Sequence, residues 1–175
     1  MSTRDTPTNH RYTLQRSWLG SGGRVNFIML NPSIADDVFD DATIRRCVGF
    51  AKRWGFSELV VTNLFAYRAT QPKDLKVLLA TSGGFRMAIG EENTTHIDRE
   101  AKDSQMIVCA WGDNCDVLPH RDLDVIQMIR FHRDLHCIRR TAKGNPAHPV
   151  REKYTDAPVL FYSQLRGIIY HRLTG

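Results

Sequence analysis

The sequence predicts an α/β fold, a three-layer α/β/α sandwich built on a central four-stranded parallel sheet. Three observations lead there. Four short apolar runs of strand length alternate with segments whose apolar residues recur at helical spacing. Strands joined this way need right-handed crossovers, which put helices on both faces of one parallel sheet. Each strand-like run also ends in a polar break: Asn31-Pro32-Ser33, then Asn63 with Phe65 to Arg68, then Trp111-Gly112-Asp113, then GNPAHPVR at 144–151. At 175 residues and 42% hydrophobic, the chain suits one domain with a real core over 1–175. Residues 1–23 form an N-terminal arm or edge strand of that domain, and 152–175 a C-terminal extension.

The elements follow in order. RYTLQRSWL (11–19) alternates loosely enough for an edge strand or extended arm, and GSGG (20–23) is a flexible turn. That glycine run precedes a strand. A phosphate-cradling loop follows one, so a P-loop is rejected. RVNFIML (24–30) is a buried parallel strand. Asp41 caps a helix from Ala42, with Ile44, Cys47, Val48, Ala51 and Trp54 on its apolar face and Gly55 at its end. ELVVTNLF (58–65) is the second strand, and Pro72 starts a short helix within Gln71 to Ala80. Gly83-Gly84 reads as a loop and Glu92 to Lys102 as a helix. QMIVCAWG (105–112) is the third strand. Leu118 to His132 is a helix with Leu123, Ile126, Ile129 and the stem of Arg130 inward, and LHCIR (135–139) is the fourth strand. APVLFYSQLRGIIYHRL suits helix or strand equally.

The formal charge of +5 and pI near 9.2 favour an anionic partner such as nucleic acid. Cys47, Cys109, Cys115 and Cys137 form no C-x-x-C pair and read as reduced thiols. Cys109, Cys115 and His120 lack a fourth ligand, so no metal is expected there. In the acidic run Asp36, Asp37, Asp40 and Asp41, the last is a helix cap and the others are solvated; Mg²⁺ binding is the alternative. No cofactor is expected. MSTRDTPTNHRY has no signal-peptide core and no apolar run approaches a membrane span, so the expectation is a cytoplasmic protein with no membrane and no obligatory protein partner. Asn93-Thr94-Thr95 matches a glycosylation acceptor by chance.

In parallel sheets ligands bind outside the carboxyl ends of the strands. The breaks there supply two amides (Asn31, Asn63), an imidazole (His148) and the cations Arg45, Arg46, Arg68 and Arg151. A structural reading makes Asn31 a turn-former before proline, Asn63 a strand-end cap and His148 a surface residue. No Ser-His-Asp order with a nucleophile elbow appears. An amide that positions water, with a histidine that stabilises a departing anion, suits hydrolysis of an N-glycosidic bond. There the sugar is already close to an oxocarbenium ion.

FIMLNPSIAD, VVTNLFAYRAT, MIVCAWG and GNPAHPV resemble, in order and spacing, a bacterial and phage family of domains of unknown function, over roughly residues 11 to 150. That family in turn resembles the uracil-DNA glycosylase superfamily, in the mismatch-specific branch with a Gly-x-Asn-Pro motif after the first core strand and a His-Pro motif after the last. The resemblance implies a uracil-DNA-glycosylase-like fold, Asn31 positioning the attacking water, His148 stabilising the leaving base, and Asn63 reading the pyrimidine edge. It further implies Val150 and Arg151 wedging into DNA beside a flipped nucleotide, and Phe39, Phe65 or Tyr67 stacking on the base. The implied activity is that of a monofunctional DNA glycosylase releasing a damaged or modified pyrimidine, either a base of phage DNA attacked in antiviral defence or a repair substrate. The alternatives are a non-catalytic reader of modified DNA and a nucleoside or nucleotide N-glycosidic hydrolase.

Overall fold

The computed structural model describes residues 9–33, 35, 39–69, 71–117 and 120–163. In chain order the elements are β1 (Leu14–Ser17), β2 (Arg24–Met29), α1 (Ala42–Arg53), β3 (Glu58–Asn63), α2 (Pro72–Leu79), α3 (Gly84–Ile89), α4 (Asn93–Asp103), β4 (Met106–Cys109), α5 (Arg121–Ile129), β5 (Leu135–Cys137) and β6 (Val159–Tyr162). The strands form one mixed sheet in the order β1-β3-β2-β4-β5-β6.

The fold is α/β, and the four expected parallel strands are its centre: β3, β2, β4 and β5 run parallel. The expectation of a four-stranded, wholly parallel sheet is corrected. β1 pairs antiparallel with β3 at one edge, and β6 antiparallel with β5 at the other. The C-terminal stretch that suited helix or strand equally contributes β6 at 159–162, while residues 164–175 lie outside the described part.

Alternation along the strands feeds two cores. On one face Phe27, Met29, Val61, Val108 and Ile138 meet Ile44, Cys47, Phe50 and Ala51 of α1. On the other, Ile28, Ile107, Cys109 and Leu135 meet Leu75, Ile97, Ala101, Val125, Ile126 and Ile129 from α2, α4 and α5. This is the period of two that a strand buried on both faces requires.

Local chemistry sets the helix ends. Asp41 Oδ1 accepts from Ile44 N at 2.9 Å and caps α1. Gly55, at φ 85°, follows its last turn in a backbone region that side chains disfavour. Two segments differ from expectation. Gly84 opens a short helix where Gly83-Gly84 suggested only a loop. The helix expected over 118–132 begins at Arg121, because His120 adopts a left-handed backbone at φ 73°; Leu118 lies outside the described residues. No helix among the described residues is long and apolar enough to cross a membrane.

Candidate active site

A cleft of about 1330 Å³ opens at the carboxyl ends of β2, β3, β4 and β5. Asn31, Asn63, His148, Val150 and Arg151 all line it, from loops far apart in sequence. Asn31 stands two residues past β2. Its Nδ2 donates to Ala69 O at 2.7 Å and to Pro32 O at 3.0 Å. Both partners are carbonyls, so the amide nitrogen must face them, and the Oδ1 acceptor has no partner among the described residues. Pro32 O also accepts from Ala69 N at 2.9 Å, and Arg11 Nη1 donates to Ala35 O, so the Asn-Pro-Ser loop is held by the chain on both sides.

Asn63 ends β3 with 1% exposure, and its Nδ2 has no partner among the described residues. Leaving a buried donor unpaired costs about 1–3 kcal/mol, so this amide is a position where a ligand acceptor stabilises the protein. Its backbone is fixed from behind. Asn93 Nδ2 donates to Asn63 O at 3.0 Å and to Leu64 O at 3.1 Å, and Arg121 Nε donates to Leu64 O at 3.0 Å. Asn93 is fully buried, which removes it from glycosylation.

His148 precedes a 3-10 turn over Pro149–Arg151. Its Nδ1 accepts from Val150 N at 3.3 Å, which puts the proton of the neutral ring on Nε2. Burial pushes the imidazole below its ordinary value, and Arg151 adds to this, while Asp41 and Glu152 pull the other way. A neutral histidine that donates from Nε2 stabilises an anion without first giving up a full proton. Gly112 supports the ring: at φ 74° it approaches so closely that a Cβ there would lie 3.1 Å from His148 Cβ.

The His148 loop is fastened by side chains. Asp113 Oδ1 accepts from Thr141 Oγ1 at 2.7 Å and from Asn145 Nδ2 at 2.9 Å. Glu152 takes a bidentate pair from Arg139 at 2.6 and 2.7 Å. Arg46 donates to Glu152 O and lies 3.8 Å over the ring of Tyr154.

The remaining expected residues fall elsewhere. Arg46 is committed to that clamp, away from solvent phosphate. Arg45 is exposed and donates to Asp40 O at 2.5 Å; Arg68 is exposed outside the cleft lining. Phe65 is fully buried in the core, because the chain turns inward after β3. Tyr67 packs against the same core, with its hydroxyl accepting from Asn9 at 3.2 Å, and Phe39 is 55% exposed. None of these three aromatic side chains lines the cleft. Val150, 39% exposed, and Arg151 do, joined by Lys153. Arg151 and Lys153 make no hydrogen bond or ion pair among the described residues.

Sequence reasoning missed Arg11, Lys153 and the functional side chains of the third break. Trp111, 1% exposed, lines the cleft, and its Nε1 has no partner among the described residues; Asp113 lines it too. The motif WGD marked the loop but not which of its side chains turn inward. The four cysteines are all buried and form no disulfide among the described residues. Burial raises the Cys47 and Cys109 thiols and pushes Cys137 up to about 11, far from a reactive thiolate. Among the described residues no three His, Cys, Asp or Glu side chains gather to hold a metal, and Asp36 and Asp37 lie outside them.

Residues 11–150 match the family model described as "Protein of unknown function (DUF1643)", and the chain belongs to that family. No curated protein and no solved structure matches it.

Proposed function

We propose that the chain is a monofunctional DNA glycosylase that flips a modified or damaged pyrimidine into this cleft and hydrolyses its N-glycosidic bond. One observation carries the reading: two complementary groups share the cleft, each with its polarity fixed by the backbone. Asn31 has spent its N–H groups on carbonyls and keeps an acceptor for water. His148 has spent its Nδ1 on Val150 N and keeps an Nε2–H for the departing base. In the reaction the C1′–N bond breaks with its electron pair on the base, and His148 stabilises the anion. Water aligned by Asn31 Oδ1 adds to C1′.

The unpaired Asn63 Nδ2 suits a pyrimidine carbonyl. Arg151 and Lys153 at the rim, beside the exposed Val150, suit a phosphate backbone and a wedge into the vacated stack. A catalytic asparagine after the first core strand and a histidine after the last are also what a uracil-DNA-glycosylase-like arrangement requires. The exposed cations Arg45 and Arg68 lie outside the cleft, where a longer stretch of backbone reaches them.

The test is an abasic-site assay on duplexes carrying uracil, mismatched thymine, hydroxymethylated or glucosylated pyrimidines. Alkali-labile strand breaks are expected with one base class, falling on the order of 10²–10³-fold in Asn31→Ala and in His148→Ala while DNA binding persists. Normal release by both variants would sink the reading. Selective binding with no abasic product would instead identify a reader of modified DNA, which fits an amide that cannot itself take a proton from water. Turnover of a free nucleoside, insensitive to salt, would identify a small-molecule hydrolase.

A further inference from the structure

We infer that Asp113 is a catalytic carboxylate of this cleft, whose uncommitted oxygen faces the positive charge that develops on the sugar as the glycosidic bond breaks. The inference rests on the glycosylase reading and assigns a group that reading does not use.

The backbone brings the three groups together. β2 and β4 are adjacent and parallel, with Ile28 level with Cys109 and Ala110 N donating to Ile28 O at 2.8 Å. Three residues beyond each of that pair stand Asn31 and Gly112. Neighbouring strands lie about 4.8 Å apart, so Asn31 and the Gly112-Asp113 step leave the sheet side by side. His148 rests directly on Gly112, and Gly112 N donates to Pro146 O at 2.9 Å. Asp113 therefore follows a residue flanked by Asn31 on one side and His148 on the other.

Its two oxygens have different tasks. Oδ1 accepts from both Thr141 and Asn145. Oδ2 has no partner among the described residues, in a side chain that lines the cleft. Burial alone would raise this carboxyl, but the two hydrogen bonds and the charges of Lys143 and Arg139 hold it below the ordinary carboxylate range. A charge fixed in place before reaction needs no reorganisation when the transition state forms.

The chemistry lacks such a group otherwise. Asn31 is an amide, so it aligns water without neutralising anything. When the C1′–N bond breaks, the electron pair leaves on the base and the positive charge is shared by C1′ and the ring oxygen. Asp113 stabilises that cation as a spectator carboxylate. Water then forms the C1′–O bond, and its surplus proton passes to the released base, so Asp113 ends as it began. Of the other carboxylates lining the cleft, Asp41 has one oxygen committed to capping α1, and Glu152 has both oxygens bound by Arg139.

Asp113→Asn separates charge from bracing, because its Oδ1 still accepts from Thr141 and Asn145. Single-turnover base release should fall on the order of a hundredfold in Asp113→Asn. Affinity for an uncleavable duplex should hold or tighten, since a negative charge has left a DNA-facing cleft. Thr141→Val, which weakens the brace and keeps the charge, should lose much less. Wild-type release by Asp113→Asn overturns the inference alone, as does a loss in Thr141→Val equal to that in Asp113→Asn. If Asp113→Asn melts at a markedly lower temperature, the Thr141→Val comparison decides between charge and fold. If the unsubstituted protein releases no base from any duplex, the glycosylase reading falls and this inference falls with it.

Discussion

The two sides of the cleft are built differently. The Asn31 and Asn63 side is held by backbone carbonyls: Ala69 O and Pro32 O fix Asn31, while Asn93 and Arg121 grip the carbonyls of Asn63 and Leu64. The His148 side is held by side chains and charges, through Asp113, the Arg139–Glu152 pair and Arg46 over Tyr154. Bonds to backbone carbonyls in the protein interior are little affected by salt, whereas exposed ion pairs are screened. The difference teaches that the Asn31 wall keeps its shape under conditions that loosen the His148 wall.

Substitutions can break that comparison. The largest stability effect is expected from Asn93→Ala on the backbone-held side. It strips a buried donor from two strand-end carbonyls and should cost about 1–3 kcal/mol in urea unfolding, independent of salt. A strong salt dependence would refute the contrast. Gly112→Ala follows on the other side. A left-handed backbone costs a side chain about 1–2 kcal/mol, and the new Cβ pushes on His148. Under the proposed activity, base release should fall more than the lost stability alone accounts for.

Acidification sharpens the same contrast. The folded His148 value lies below the ordinary one of about 6.5, so below that pH the unfolded chain takes up a proton that the folded chain refuses. The contribution is fully present above about pH 6.5 and is lost as pH falls toward the folded value. Protonation also removes the Nδ1 acceptor for Val150 N. The urea midpoint should therefore drop below pH 6.5, and less so in His148→Gln; equal slopes would remove His148 as the cause. The smallest effect belongs to Arg139→Gln. Arg139 is more than half exposed, so its pair with Glu152 is worth a few tenths of a kcal/mol, and even that should fade at high salt.

Much of the frame was legible because it is written locally. Short continuous apolar runs marked the four central strands, Asp41 and Gly55 marked α1, and Pro72 marked α2. The candidate site was legible only as the loop residues Asn31, Asn63 and His148. Its supports were not, because their partners are distant in sequence. Arg46 looks like any solvent-facing helix cation until Tyr154 is folded over it. Asn93 looks like a chance sequon until it reaches Asn63 O. Phe65 and Tyr67 follow a strand end as base-stacking residues would, yet the chain's inward turn commits them to the core. The six residues of α3, GFRMAI, are too few to establish a period.

The antiparallel strand β6 has a consequence for solubility. β5 is three residues long, and its outer row of amide and carbonyl groups is occupied by β6, with Cys137 opposite Val159. An uncovered apolar edge of this kind is a template for the same edge on another molecule. A chain ending near residue 157 would keep every cleft residue named above and still present that template. Such a fragment is expected to pellet at a lower concentration than the full chain, because the edge of β5 that β6 covers would then be open.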